Sequence, residues 1–154
     1  HRYGRRQRQM CIRDRPINDP HVRASFHNMG IETDRSLLVY SLIEGISFGL
    51  NDNYQALSKT GIKLDNLFVI GGGSKNEYWI KLLASILDRD LSITEASDAM
   101  AAYGAARLAF LGFNNLDHSE VLKPPTVKKI IEKDSTLNSL LKVRFNDWKN
   151  YYIN

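Results

Sequence analysis

The sequence predicts an α/β fold, and three observations carry that expectation. A continuous apolar run, "NLFVIGG" at residues 66–72, gives way without a spacer to apolar residues at helical spacing. A second short run, "LSITE" at 91–95, is followed in the same way by an alanine-rich stretch. A long helical pattern precedes both, so the order is helix, strand, helix, strand, helix, which implies parallel strands joined by right-handed crossovers.

Each element has its own warrant. After "PINDPHVRASFHNMG" (16–30), which reads as loop and short extended segments, a helix is expected from Thr33, an N-cap followed by Asp34. Val39, Ile43, Ile46, Leu50, Tyr54 and Leu57 then recur at intervals of three and four, one face of an α-helix, and Gly61 is the expected stop. Gly45 and Gly49 inside this helix cost about 1 kcal/mol each relative to alanine, so close packing is expected beside them. Glu44, next to them, reads as a solvated or hydrogen-bonded structural carboxylate, with a functional one as the alternative.

The run 66–72 contains Val69 and Ile70 and suits a strand covered on both faces. Trp79, Leu82, Leu83, Ile86 and Leu87 follow at helical intervals. After the strand at 91–95, Ser97 is the expected cap of "DAMAAYGAARLAFLG" (98–112), whose small residues permit tight contact with a sheet or another helix. "NNLDHSEVLKPPT" (114–126) interrupts the pattern with two prolines. Val127, Ile130, Ile131, Leu137, Leu141, Phe145, Trp148 and Tyr152 then predict a C-terminal helix lying across the domain, with an amphipathic partner-binding helix as the alternative.

Composition bounds the function. Of 154 residues 43% are hydrophobic and 25% charged, ordinary values for one globular domain. No apolar run approaches the roughly 18 to 20 residues of a membrane span, and residues 1–15 lack the apolar centre of a signal peptide, so the chain is expected in the cytoplasm. Cys11 stands alone, and His1, His21, His27 and His118 lack partners at metal-ligand spacing, so no metal is expected on this chain by itself. The net charge of +4 is confined to one end: residues 1–15 hold six of the 21 basic residues and one of the 17 acidic ones, and the rest of the chain carries −1. Residues 1–15 therefore read as a basic leader foreign to the body that begins at Pro16; an arm that binds nucleic acid or an acidic partner is the rival reading.

The candidate site is "GGGSKNEYW" (71–79), where a strand meets a helix. Ser74 and Glu77 stand at capping-box spacing, so the helix should start directly after Gly73. Bare glycine backbone and uncovered helix amides make such a turn suited to a phosphate or a polar nucleotide group, although a purely structural turn has the same spacing. Two phosphate motifs are excluded: Asn76 occupies the place of the third glycine of the dinucleotide pattern, and Lys75 is not followed by serine or threonine. Asn76 adds a carboxamide that both donates and accepts, as a nucleobase requires.

"GGGSKNEYWIKLLASIL" followed by "AAYGAARLAFLG" resembles the C-terminal nucleotide-binding domain of the FGGY carbohydrate kinases, and "PINDPHVRASF" and "LIEGISFGLNDNYQAL" agree with that family in the same order. The resemblance runs from Pro16 to about the C-terminus. It implies part of an actin-like, ribonuclease H-like ATPase domain (16–154). In such kinases sugar and ATP meet in a cleft between two domains, with Mg2+ on the phosphates. Gly71, Gly72, Gly73, Ser74 and Asn76 would then form the adenosine side of the ATP site, Gly72 and Asn76 making the most direct contacts.

The resemblance also implies what is missing. The N-terminal domain of such kinases carries a phosphate hairpin, the sugar-binding residues and an aspartate base, and none of these has a counterpart in this chain. The chain is therefore expected to be a kinase fragment without a catalytic base, inactive and poorly soluble by itself. Asp19 and Arg23 read as loop residues, with a place at the cleft border as the alternative. The implied acceptor is a sugar, D-xylulose first among the ketoses and polyols that such kinases phosphorylate, and the whole enzyme would suit a homodimer.

Overall fold

Between Leu64 and Asn138 the chain builds a small sheet under a crossover helix, one of two units into which it divides. A computed structural model describes residues 24–95, 97, 99–114 and 117–153. The leader 1–15, Cys11, His1, His21, Asp19 and Arg23 lie outside the described residues.

In this unit, strand β1 (Phe68–Val69) pairs in parallel with β2 (Leu91–Thr94), with Phe68 opposite Ser92 and Val69 opposite Ile93. Helix α2 (Glu77–Leu87) makes the crossover between them, as the alternation of patterns predicts. It turns Ile80, Leu83 and Ala84 inward, where they meet Leu91, Ile93 and Ile131; Leu67, Val69 and Leu87 pack around that cluster. The helix ends because Asp88 adopts the left-handed conformation at φ 57°, from which its N–H reaches the carbonyls of Ala84 and Ser85. Arg89 then donates to the carbonyls of Leu64 (2.6 Å) and Asp65 (3.0 Å), tying the approach to β1 back onto the end of the crossover.

One expectation fails in a specific way. Val127, Ile130 and Ile131 do not belong to the C-terminal helix: Val127–Ile131 is strand β3, antiparallel to β2, with Leu91 opposite Ile131 and Ile93 opposite Lys129. Intervals of three and one within "VKKII" fit a helical face, yet three of its five residues are β-branched, and such residues lose χ1 freedom in a helix and favour a strand. The sheet order is β1-β2-β3, mixed rather than wholly parallel.

The second short region of this unit holds helix α3 (Met100–Asn114) and the single turn α4 (His118–Val121). The small residues of α3 do not make the tight contacts expected of them. Leu111 alone is buried among its described residues, and a Cβ added at Gly104 or Gly112 would meet nothing within 4 Å. Arg107 fastens the helix locally, donating to the carbonyls of Val121 and Lys123.

The final helix, α5 (Ser135–Ile153), is capped by Asp134, whose Oδ1 accepts from the N–H groups of Thr136 and Leu137 at 3.0 Å. Its start is held to α2: the Asp134 N–H donates to Ser85 Oγ, and Asn138 Nδ2 donates to the Ser85 carbonyl at 2.6 Å.

The other unit comprises the described residues up to Lys63 and those from Ser139 onward. Here α1 (Arg35–Ser58) is capped by Asp34, one residue later than expected, because Thr33 instead uses its hydroxyl to accept the Gly30 N–H. The helix stops at Ser58, and Gly61, at φ +80°, leads the chain away. The face of α1 that is buried is not the expected one. Glu44, Ser47, Phe48 and Asn51 are buried, whereas Val39, Ile46, Leu50 and Leu57 are exposed. The selection follows from aromatic packing: Phe48 sits 5.4 Å from Phe145 and 5.9 Å from Trp148, and the rings of Phe145 and Trp148 stack at 5.8 Å. Aromatic pairs at these separations add about 0.5–1.5 kcal/mol beyond the area they bury, and they set which residues α1 turns inward. Gly45 is not forced by crowding, since a Cβ there would stand 3.9 Å from Trp148 Nε1, an ordinary contact.

Candidate functional site

The glycine turn lies at the carboxyl end of β1. Gly71 takes φ +89° and ψ −179°, a region open in practice to glycine alone, and any side chain here would cost about 1–3 kcal/mol. Gly72–Lys75 then form one turn of 3-10 helix, and α2 begins at Glu77 with Asn76 as its N-cap.

The expected capping box does not form. Ser74 lies inside the 3-10 turn, where its Oγ donates to the Gly71 carbonyl at 2.7 Å, and Glu77 pairs with Lys129 Nζ at 2.7 Å instead of reaching back. Asn76 takes over the capping role, accepting the Trp79 N–H through Oδ1 at 3.2 Å. The inserted 3-10 turn moves the N-cap from Ser74 to Asn76, two residues further along the chain than the serine spacing suggests.

The three glycines have three different reasons. Gly71 is required by its backbone angles. Gly73 is required by packing, since a Cβ would stand 2.9 Å from Cζ3 of Trp79, whose ring lies over the turn. Gly72 has neither reason: its φ is ordinary and an added Cβ would meet nothing within 4 Å. Exposure follows the same division. Gly72 and Asn76 are exposed, Gly71 and Gly73 half-buried, and Ser74 is buried at 4%. Of the five candidate site residues, the turn thus presents the Gly72 backbone and Asn76 outward, while the Ser74 hydroxyl is used internally. The exposed helix start also carries the positive end of the α2 dipole.

Sequence reasoning missed Ser97 as part of this turn. Helix α3 begins at Met100, so Ser97 does not serve as its cap; its Oγ lies 2.7 Å from Ser74 Oγ, and its carbonyl accepts the Gly71 N–H at 2.7 Å. Nothing in the sequence joins positions 23 residues apart; the pairing arises because parallel β1 and β2 end side by side.

Glu44 resolves toward its structural reading. Its carboxylate accepts from Tyr40 Oη at 3.0 Å and from Arg144 Nη2 at 2.7 Å. Burial nonetheless holds its pKa above the ordinary carboxylate value, outweighing the opposing effects of Arg144 and Tyr40. Among the described residues there is no grouping of three or more histidines, cysteines or carboxylates that would hold a metal ion, and no helix long and apolar enough to cross a membrane. His27 stacks on Tyr151 at 4.1 Å.

Comparison with known proteins gives a consistent set of relatives. The model of the "FGGY family of carbohydrate kinases, C-terminal domain" matches residues 12–113. The xylulose kinase of Staphylococcus xylosus is 28% identical over 143 residues, covering 89% of this chain and 29% of that protein. The xylulose kinase of Escherichia coli K12 is 32% identical over 99 residues, covering 64% of this chain and 20% of the relative. Among solved structures, the crystal structure of a xyloylose kinase from Brucella ovis superposes with a TM-score of 0.80 at 34% identity, over 89% of this chain and 28% of its own. The chain thus spans less than a third of the length of each.

Proposed function

Because the chain belongs to the FGGY family of carbohydrate kinases, we propose that it supplies the adenosine side of the ATP site of a sugar kinase, through Gly71, Gly72, Gly73, Ser74 and Asn76, within a partial nucleotide-binding domain that runs from residue 16. The observation that carries this reading is Gly72. It is the one glycine of the turn with no conformational or steric need to be glycine, and it lies on the exposed side, where a missing Cβ lets a flat ligand approach the backbone. Asn76 already accepts the Trp79 N–H through Oδ1, so its Nδ2 is the group that would donate to a nucleobase nitrogen. Ser74 acts from behind, shaping the turn.

The reaction of the whole kinase would be transfer of the γ-phosphoryl group of ATP to a ketose hydroxyl. D-xylulose is favoured as acceptor, because both curated relatives described above are xylulose kinases. Phosphoryl transfer depends on in-line positioning and on neutralising charge at the phosphates, which Mg2+ would supply. Among the described residues no three histidine, cysteine or carboxylate side chains are grouped to hold that ion, and the family resemblance assigns the base for the sugar hydroxyl to the other domain. We therefore expect the 154-residue chain to hold nucleotide weakly and to transfer nothing; sugar-dependent ADP release from the purified chain would contradict this.

The test of the site is Gly72→Val. The substitution meets open space, so the thermal midpoint should stay within a few degrees of the parent, whereas ATP-induced amide shifts at Gly71–Asn76 should disappear in an NMR titration. Equal shifts in the variant and the parent would remove Gly72 from the site, and shifts confined to other segments would move the site elsewhere.

A further inference from the structure

We propose that Ser97 is a positioning residue for the glycine turn, an inference that rests on the reading of that turn as the adenosine side of an ATP site. The hydrogen-bond directions can be assigned from proton counting. Ser74 Oγ has one proton and gives it to the Gly71 carbonyl, which can only accept. In the 2.7 Å contact between the two hydroxyls, Ser97 must therefore be the donor. The Gly71 N–H in turn donates to the Ser97 carbonyl at 2.7 Å. These three bonds close a ring: Ser97 hydroxyl to Ser74 hydroxyl, Ser74 hydroxyl to Gly71 carbonyl, Gly71 N–H to Ser97 carbonyl.

The ring grips the residue with the least common backbone conformation in the turn. Gly71, at φ +89°, has many other conformations open to it, because glycine is restrained by no Cβ. Holding both its N–H and its carbonyl from Ser97 and Ser74 selects the one conformation that sends Gly72 outward. Both serines are buried, at 4% and 9% exposure, so water competes poorly for these bonds, and hydrogen bonds linked in series strengthen one another. Ser97 stands on the segment after β2, so the site is built from the ends of two neighbouring parallel strands, and the second strand contributes through the first.

The experiment uses the isotope-labelled 154-residue chain, ATP as the probe, and the variants Ser97→Ala and Ser97→Thr. Two readouts are taken: ATP affinity from the Gly71–Asn76 amide shifts, and hydrogen exchange at those amides and at Leu83 and Ala84 in the core of α2. Ser97→Ala should weaken ATP binding roughly fivefold, the factor that one hydrogen bond of ordinary net strength confers. It should also speed exchange at Gly71 and Ser74 while Leu83 and Ala84 keep their protection, and Ser97→Thr, which retains the hydroxyl, should restore both. Unchanged affinity and unchanged local exchange in Ser97→Ala would overturn the proposal, as would exchange raised equally at the turn and in the helix core. If the parent chain shows no ATP shifts at the turn, the nucleotide role of Ser97 falls with the site itself; faster exchange at Gly71 in Ser97→Ala would then place the error in the ligand and not in the ring.

Discussion

Replacing Ile80 with alanine is expected to unfold the Leu64–Asn138 unit near ambient temperature. Ile80 is 2% exposed and lies in a small buried cluster with Leu83, Ala84, Leu91, Ile93 and Ile131, against which Leu67, Val69 and Leu87 pack. Truncating a buried isoleucine to alanine costs about 2–5 kcal/mol, through lost transfer energy and the cavity left behind. Domains of ordinary size have about 5–15 kcal/mol to lose, and a unit of this length stands near the lower end of that range. One substitution therefore removes a large share of what holds the sheet to α2. Calorimetry should show the loss as a fall of about 8–40 °C in the transition, at about 4–8 °C per kcal/mol for a unit of this size. A fall of one or two degrees would mean that the cooperative core lies elsewhere. Val127→Ala is the natural control, because Val127 occupies the same sheet with 43% exposure.

Arg144→Met is expected to destabilise the other unit at neutral pH by about 1–3 kcal/mol, with a pH dependence that identifies Glu44 as the cause. A fully buried ion pair broken on one side costs about 3–5 kcal/mol. The smaller figure applies because the Arg144 side chain is 44% exposed, although that of Glu44 is only 7% exposed. Without Arg144, the Glu44 carboxylate keeps Tyr40 as its hydrogen-bond donor and loses its nearest positive charge. The sign is fixed by linkage. Burial already raises the pKa of Glu44 in the folded state above its unfolded value, so the folded state holds the proton more tightly. Glu44 therefore penalises folding above that raised pKa, and the penalty is relieved as the pH falls toward the ordinary carboxylate range. Removing Arg144 removes an effect that lowers the pKa, so the relief should begin at higher pH and be larger. Denaturant midpoints measured between neutral pH and pH 4.5 should converge for variant and parent on acidification. Glu44→Gln combined with Arg144→Met should be insensitive over that window. A constant difference between variant and parent would assign the loss to packing of the arginine stem over Tyr40, whose ring centre lies 5.5 Å from the guanidinium.

Much of the architecture was legible because local patterns and tertiary structure agree. The runs around Val69 and Ile93 became paired parallel strands, and the helical spacing from Trp79 to Leu87 became the crossover. The glycine turn was legible as well, since Gly71 and Gly73 are dictated by backbone angle and by a neighbouring ring. What failed depended on distant partners. Val127–Ile131 has apolar intervals that suit a helix, and the open side of β2 decides for a strand. The buried face of α1 was chosen by Phe145 and Trp148, almost a hundred residues away, and not by the stripe with the most regular spacing. Ser74 has the spacing of a cap, three residues before a glutamate, but a buried hydroxyl on another strand's loop offers it a different partner.

That hydroxyl pair has a consequence for how such a chain can change over generations. Alanine at position 97 leaves the Ser74 oxygen without its donor, and alanine at position 74 leaves the Ser97 proton without its acceptor; each single change leaves a buried polar group unmatched. A substitution of both by apolar residues of similar shape removes the mismatch. Positions 74 and 97 therefore form a two-site unit of inheritance, in which serine at one is favoured by serine at the other, and drift would pass most readily through paired replacements.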